Sequence, residues 1–177
     1  MNKWKYYFAC IGVMCVMLLG AYWGNRAVSV LSEGLSGKVR HCIIIDPGHG
    51  GEDGGASSCS GRLESGYNLE IALRLEDLLH LLGYDTKLIR REDVSVYTTG
   101  QTIAQKKVSD LKNRVKTINE TKNGILLSIH QNYFSDSRYS GAQVFYGNSE
   151  GSEALAKRLQ ASFVAALNPG SRRQAKQ

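Results

Sequence analysis

Proline is nearly missing from this sequence, with two in 177 residues. Nineteen glycines without a three-residue period then exclude collagen, and the shortage of proline excludes proline-rich linkers. No segment recurs at a fixed period, which excludes a solenoid. Charge of one sign is also modest. Basic residues number 22 and acidic ones 16, and three of the former and one of the latter fall within the first 36 positions. The remainder is only mildly basic and carries no basic stripe with interleaved aromatics, so nucleic acid is not an expected partner. An anionic polymer is compatible with such a surface. With 21% charged and 42% hydrophobic residues, the composition is that of a globular chain, not a disordered one. The length suits one domain with a small appendage.

The appendage lies at the N-terminus. Tyr6 to Trp23 is an uncharged, largely apolar run of eighteen residues preceded by Lys3 and Lys5. As a helix it would be about 27 Å long, against a hydrocarbon core of about 30 Å. Tyr6, Tyr7, Tyr22 and Trp23 stand at its ends, where interfacial aromatics belong, and the leading lysines favour an N-in orientation. Residues 1–24 are therefore expected to be a signal anchor, with a cleaved signal peptide as the rival reading. Membrane contact through residues 6–23 would leave the rest outside the cytoplasm. Residues 25–37, broken by Ser29, Ser32, Gly34, Ser36 and Gly37, read as a linker, and the folded domain is expected over 38–177. Cysteine is scarce too, four in all. Cys10 and Cys15 lie in the apolar run. Cys42 and Cys59 lie where a disulfide is permitted, although sequence does not place their sulfurs within reach.

Within the domain, His41–Ile45 is a continuous β-branched run ending at Asp46-Pro47-Gly48, a strand buried on both faces. The spacing predicts a helix over Tyr67–Leu82, with Ile71, Leu75, Leu78, Leu79 and Leu82 inward and Gly83 as its C-terminal cap. Further strands are expected at Asp85–Ile89, Gly124–Ile129 and Ala142–Tyr146. Further helices are expected at Lys106–Asn119 (Val108, Leu111, Val115 and Ile118 on one face) and Glu153–Leu167 (Leu155, Leu159, Phe163 and Ala166 inward). Residues 92–105 look irregular. Alternating strands and helices argue for an α/β fold, a mainly parallel sheet with helices on both faces, preceded by the one N-terminal helix. Ligands in such folds gather beyond the carboxyl ends of the strands.

Two motifs fall there. Asp46-Pro47-Gly48-His49-Gly50-Gly51-Glu52-Asp53-Gly54-Gly55 has five glycines in eight residues. It lacks the Gly-Lys-Ser/Thr ending of a phosphate-binding loop and the spacing of a dinucleotide fingerprint. It does present His49 just past a strand. Ser128-Ile129-His130-Gln131-Asn132 ends another strand and brings His130 to the same rim. Glu64, just before the first helix, can face the same space. Two imidazoles and a carboxylate on three elements make a His2Glu set with an open fourth position, as in catalytic and unlike closed structural zinc. His41 and His80 lie away from these motifs and carry no expected role.

The run Ile45-Asp46-Pro47-Gly48-His49-Gly50-Gly51, then Glu64 with Asn68-Leu69, then Ser128-Ile129-His130-Gln131-Asn132, resembles the zinc-dependent N-acetylmuramoyl-L-alanine amidases of the Amidase_3 type. The likeness extends through Leu88-Ile89-Arg90, Asp93, Asn113-Arg114 and Gly141-Ala142-Gln143-Val144-Phe145-Tyr146, covering about residues 41–173. Within the family, the N-terminal run and the middle segment are similar to the spore-cortex branch. The resemblance implies Zn2+ on His49, Glu64 and His130. It also implies hydrolysis of the amide between N-acetylmuramic acid and L-alanine in peptidoglycan, during spore cortex maturation or germination, and a place in the cell or forespore envelope. It leaves a protein activator open. It gives Asn132 a site-lining role and Arg114 a structural or substrate-side one. The family's glutamate base, in a run like Val-Glu-x-Gly-Phe, has no counterpart in these residues, so no catalytic base is assigned and the domain is expected to lack its last strand. Glu52 and Asp53 are the nearest substitutes. Two other readings follow: a non-catalytic module that keeps zinc and binds wall or partner, and an unrelated zinc carboxypeptidase-like enzyme.

Overall fold

The computed structural model describes residues 40–133 and 140–177, with positions 4, 14, 17, 19 and 20. The expected anchor at 6–23 and the linker at 25–37 thus lie essentially outside the described residues. Among the described residues, no helix is long and apolar enough to cross a membrane.

The chain divides into two compact units, Met1–Gln131 and Asn132–Gln177. The first is a mixed α/β unit. Strand β1 (Cys42–Pro47) runs into a glycine-rich turn, helix α1 (Glu64–Leu81), strand β2 (Asp85–Leu88), helix α2 (Ile103–Glu120) and strand β3 (Gly124–Ile129). The three strands form a parallel sheet in the order β2-β1-β3. The central place falls to the most β-branched strand. Ile44 and Ile45 point to opposite faces and are 1% and 0% exposed, so β1 is covered on both sides. Pairing of Pro47 with Ile129 and of Ile45 with Leu88 brings the carboxyl ends of all three strands to one rim.

Helices α1 and α2 both begin three residues before the expected start, α2 through a side-chain cap and α1 through backbone carbonyls. Helix α2 begins at Ile103, three residues before the first expected one, because Thr102 and Gln105 form a reciprocal capping box. Helix α1 begins at Glu64, whose N–H donates to Ala56 O at 2.8 Å, while Ser65 N donates to Gly54 O at 3.0 Å. The glycine-rich turn thereby caps the helix with its own carbonyls.

The inward faces are a correction. In α1 the buried residues are Glu64, Ser65, Asn68, Ala72 and Glu76; of the residues expected inward, Leu75 and Leu79 are half-buried, whereas Ile71, Leu78 and Leu82 are exposed. In α2 they are Ser109 and Arg114, with Val108, Leu111 and Val115 exposed. Periodicity locates a stripe but does not say which stripe meets the sheet. Here the buried stripes are largely polar: Asn68 and Arg114 bond the carbonyls at and after the end of β1, Glu76 meets Thr86 of β2, and Ser109 accepts from the backbone of Thr98 and Thr99.

The second unit holds helix α3 (Ser152–Leu167). Its buried residues are Ala156 and Gln160, while Leu155 and Phe163 remain partly exposed. The strand expected at Ala142–Tyr146 does not form; only an isolated parallel bridge joins Phe145 to Lys176. The Gln160 side chain takes the place of a neighbouring strand, accepting from Val144 N at 2.8 Å and donating to Ala142 O at 3.1 Å. Cys42 and Cys59 are both free thiols.

Candidate metal centre

Three elements meet at the rim. His49 follows β1, Glu64 opens α1, and His130 follows β3. One ligand atom from each can be chosen so that all three lie within 4.8 Å of one another. His49 Nε2 is 3.4 Å and His130 Nδ1 3.0 Å from Glu64 Oε1. The two imidazoles stand nearly perpendicular, with centroids 4.9 Å apart.

Glycine makes this approach possible at two points. A Cβ on Gly48 would sit 2.2 Å from His130 Cε1, and one on Gly55 would sit 2.7 Å from both Glu64 Oε2 and His49 Cδ2. Gly55 also has φ +70°, a conformation costly for a residue with a side chain. The turn is thus a cradle that closes on the imidazoles and carboxylate. We expect Gly48→Ala to push the His130 ring aside and weaken metal affinity by at least about tenfold, the lower cost of losing ligand orientation. Isothermal titration with zinc, alongside a circular dichroism spectrum to confirm folding, checks this.

Glu64 is 5% exposed and gathers donors. Ala56 N donates to Oε2 at 3.0 Å, and Gln131 N and Asn68 Nδ2 donate to Oε1 at 2.9 and 3.3 Å. Burial pushes its carboxyl upward, but these bonds and the nearby His49 outweigh it and hold the group below the ordinary glutamate range. The side chain is therefore an anion at neutral pH. His49 Nδ1 lies 3.1 Å from Asp53 Oδ1 but out of line for a hydrogen bond, and it is a buried polar atom without one. A carboxylate on each side of one imidazole, with a second imidazole adjoining, suits a divalent cation that prefers nitrogen and oxygen ligands. The residues fit such an ion.

The other expected residues separate. Arg114 stands behind the site, 5% exposed, with its guanidinium on Asp46, Asp110, Pro47 O and His49 O. Of its two expected roles, this geometry supports the structural one. Asn132 is exposed and opens the second unit. Glu52 pairs with Lys106 at 2.6 Å, and Asp53 with Lys107 at 3.2 Å on the Nδ1 side of His49. His41 Nδ1 lies 3.3 Å from Asn123 O and His80 Nε2 2.5 Å from Thr86 Oγ1, both apart from the cluster.

Two residues that matter here were given no role by the sequence. Asn68, fully buried, donates to both Gly48 O and Glu64 Oε1. Arg90, 3% exposed, reaches the carbonyls of Pro47, Gly48 and Ser65. Two signals were available: both stand in runs that carry the family resemblance, Asn68-Leu69 and Leu88-Ile89-Arg90, and by position Asn68 lies one helical turn after Glu64 and Arg90 just beyond the carboxyl end of β2.

The family described as N-acetylmuramoyl-L-alanine amidase matches residues 43–177. The chain belongs to that family. It is 36% identical over 164 residues to the germination-specific N-acetylmuramoyl-L-alanine amidase of Bacillus subtilis, covering 90% of this chain and 67% of that protein. Against the probable cell wall amidase LytH of Staphylococcus epidermidis it is 32% identical over 151 residues, covering 82% of this chain and 44% of the relative. The CwlD amidase of Clostridioides difficile, solved in complex with the GerS lipoprotein, superposes with a TM-score of 0.73 at 35% identity, over 77% of this chain and 72% of that one. The chain therefore spans between under half and about two thirds of these two curated relatives.

Proposed function

We propose that this amidase-family chain hydrolyses the amide between N-acetylmuramic acid and L-alanine in peptidoglycan, acting in the spore cortex, with zinc held by His49, Glu64 and His130. The observation that carries the reading is the convergence of those three side chains, from three separate elements, to within 4.8 Å. Zinc bound there would polarise the amide carbonyl and make water a better nucleophile at neutral pH.

The chain's own groups prepare that site. Glu64 enters as an anion already oriented by Ala56 N and Gln131 N. Asp53 Oδ1 lies 3.1 Å from His49 Nδ1, on the side of the ring away from the Nε2 that faces Glu64. His130, with its side chain 46% exposed, forms the open side through which substrate approaches. Glu52 and Asp53 are engaged with lysines, so neither is assigned as general base.

The place of action follows from the same reading. Residues 6–23 anchor or export the chain, residues 25–37 are the linker, and the domain works in the cell or forespore envelope. A lipoprotein is a fitting partner class, since the superposable CwlD amidase was solved with one. Mass spectrometry of peptidoglycan incubated with the zinc-loaded chain tests the activity against a His130→Ala control. Stem peptides with a free L-alanine amino group are expected from the unmodified chain alone. Zinc binding with no release would favour a non-catalytic wall-binding module, and cleavage within the stem a carboxypeptidase-like enzyme.

A further inference from the structure

We infer that Arg90 and Arg114 form a positioning clamp, in which two buried guanidiniums hold three successive carbonyls and so fix where His49 stands relative to Glu64 and His130. The inference rests on the metal reading above and concerns residues that never touch the metal.

The contacts converge on one turn. Arg90 donates from Nε to Pro47 O at 3.0 Å and from Nη2 to Gly48 O at 3.0 Å. Arg114 donates from Nη1 to Pro47 O at 3.1 Å and from Nη2 to His49 O at 2.8 Å. His49 itself has φ +62°, a left-handed conformation that a non-glycine residue adopts at a cost. Held carbonyls on both sides of that residue give the turn a reason to stay there. Arg90 Nη2 also donates to Ser65 O at 2.9 Å, next to Glu64. Gly48 N donates to Ile129 O at 2.9 Å, next to His130. The clamp thus ties the His49 turn to the chain beside Glu64, and the backbone bond at Gly48 ties the same turn to the chain beside His130.

The way Arg90 is buried separates this role from simple packing. Arg114 has two carboxylate partners, Asp46 and Asp110. Among the described residues, no carboxylate lies within hydrogen-bonding distance of Arg90; Asp93 lies 3.8 Å away and its side chain is 48% exposed. Its charge is met instead by the neutral carbonyls of Pro47, Gly48, Ser65 and Glu92. A buried charge so paired is a poor source of stability, whereas a planar fork of donors suits the orientation of several carbonyls at once. A lysine, with its single nitrogen, cannot reproduce that fork.

The test measures zinc affinity of the full chain by competition with a chromophoric chelator, together with the visible spectrum of the cobalt(II)-loaded protein and the thermal midpoint of the metal-free protein. Arg90→Gln is expected to weaken zinc binding about 10- to 100-fold and to alter the cobalt spectrum, as loss of outer-shell orientation does. Arg90→Lys is expected to recover part of the affinity, and it remains readable if the glutamine variant does not fold. Arg91→Gln is the control. It removes a 2.6 Å partner from buried Glu76, outside the turn, and is expected to lower the midpoint while leaving affinity and spectrum unchanged. Wild-type affinity and spectrum in both Arg90 variants, with only a lowered midpoint, would overturn the clamp. A wild-type chain that binds no zinc or cobalt would instead overturn the metal reading itself.

Discussion

Glu64→Gln is expected to remove tight zinc binding, with affinity falling by more than the about 100-fold that loss of an outer-shell partner costs at most. The reason is the number of tasks that one carboxylate performs. In the metal-free fold it is the shared acceptor for Ala56 N, Gln131 N and Asn68 Nδ2, and it faces His49 and His130 at 3.4 and 3.0 Å. Glutamine keeps the shape and one acceptor oxygen. It loses the charge that attracts a dication and replaces the acceptor facing Ala56 N or Gln131 N by a donor. A buried donor turned against a donor costs about 1–3 kcal/mol, so the metal-free midpoint should fall as well. Glu64→Ala is expected to abolish binding too, while sparing the donor clash. Zinc retained after dialysis, measured by atomic absorption, and urea melts of both metal-free variants check the two parts. Stoichiometric zinc in Glu64→Gln would remove Glu64 from the ligand set.

That site was legible in the sequence to an unequal degree. His49 and His130 could be placed because each follows a β-branched run, and parallel strands bring such ends to one rim. Glu64 was a looser inference, since nothing in its neighbourhood shows that backbone carbonyls of Gly54 and Ala56 start the helix at that residue. Arg90 was invisible as a positioning group for a general reason. Its partners Pro47, Gly48 and Ser65 lie 43, 42 and 25 residues away, and a carbonyl acceptor leaves no mark in residue type. The same blindness explains the helix faces. A pattern of leucines marks an apolar stripe on α1, but the fully buried residues are Glu64, Ser65, Asn68, Ala72 and Glu76, with Leu75 and Leu79 only half-buried. Ser65, Asn68 and Glu76 read as solvent-facing until their partners are known. Ala142–Tyr146 had strand propensity, and the Gln160 side chain met its backbone groups instead.

Asp46→Ala is expected to be the most destabilising single change in the first unit away from the proposed ligands, by about 3 kcal/mol, the lower end for breaking a buried ion pair. Asp46 is 8% exposed, contacts Arg114 Nη1 and accepts from Ser128 Oγ at 3.0 Å. Its removal leaves a buried guanidinium with Asp110, 2.6 Å from Nε, as the remaining carboxylate. Burial lowers the proton affinity of Arg114, but Asp110 and Asp46 together more than reverse this; with one of them gone, the burial penalty is only partly met. The partner Asp110 is why the lower figure applies. Replacing both groups, as Asp46→Leu with Arg114→Met, should recover only part of the lost stability: apolar groups often substitute for a buried pair without cost, but Asp110 loses its Arg114 partner as well. It should not recover zinc affinity, because the donors to Pro47 O and His49 O are gone. Denaturant midpoints of the metal-free chains measure the first quantity and chelator competition the second. A double variant that regained both would mean that Arg114 serves the fold through its charge alone.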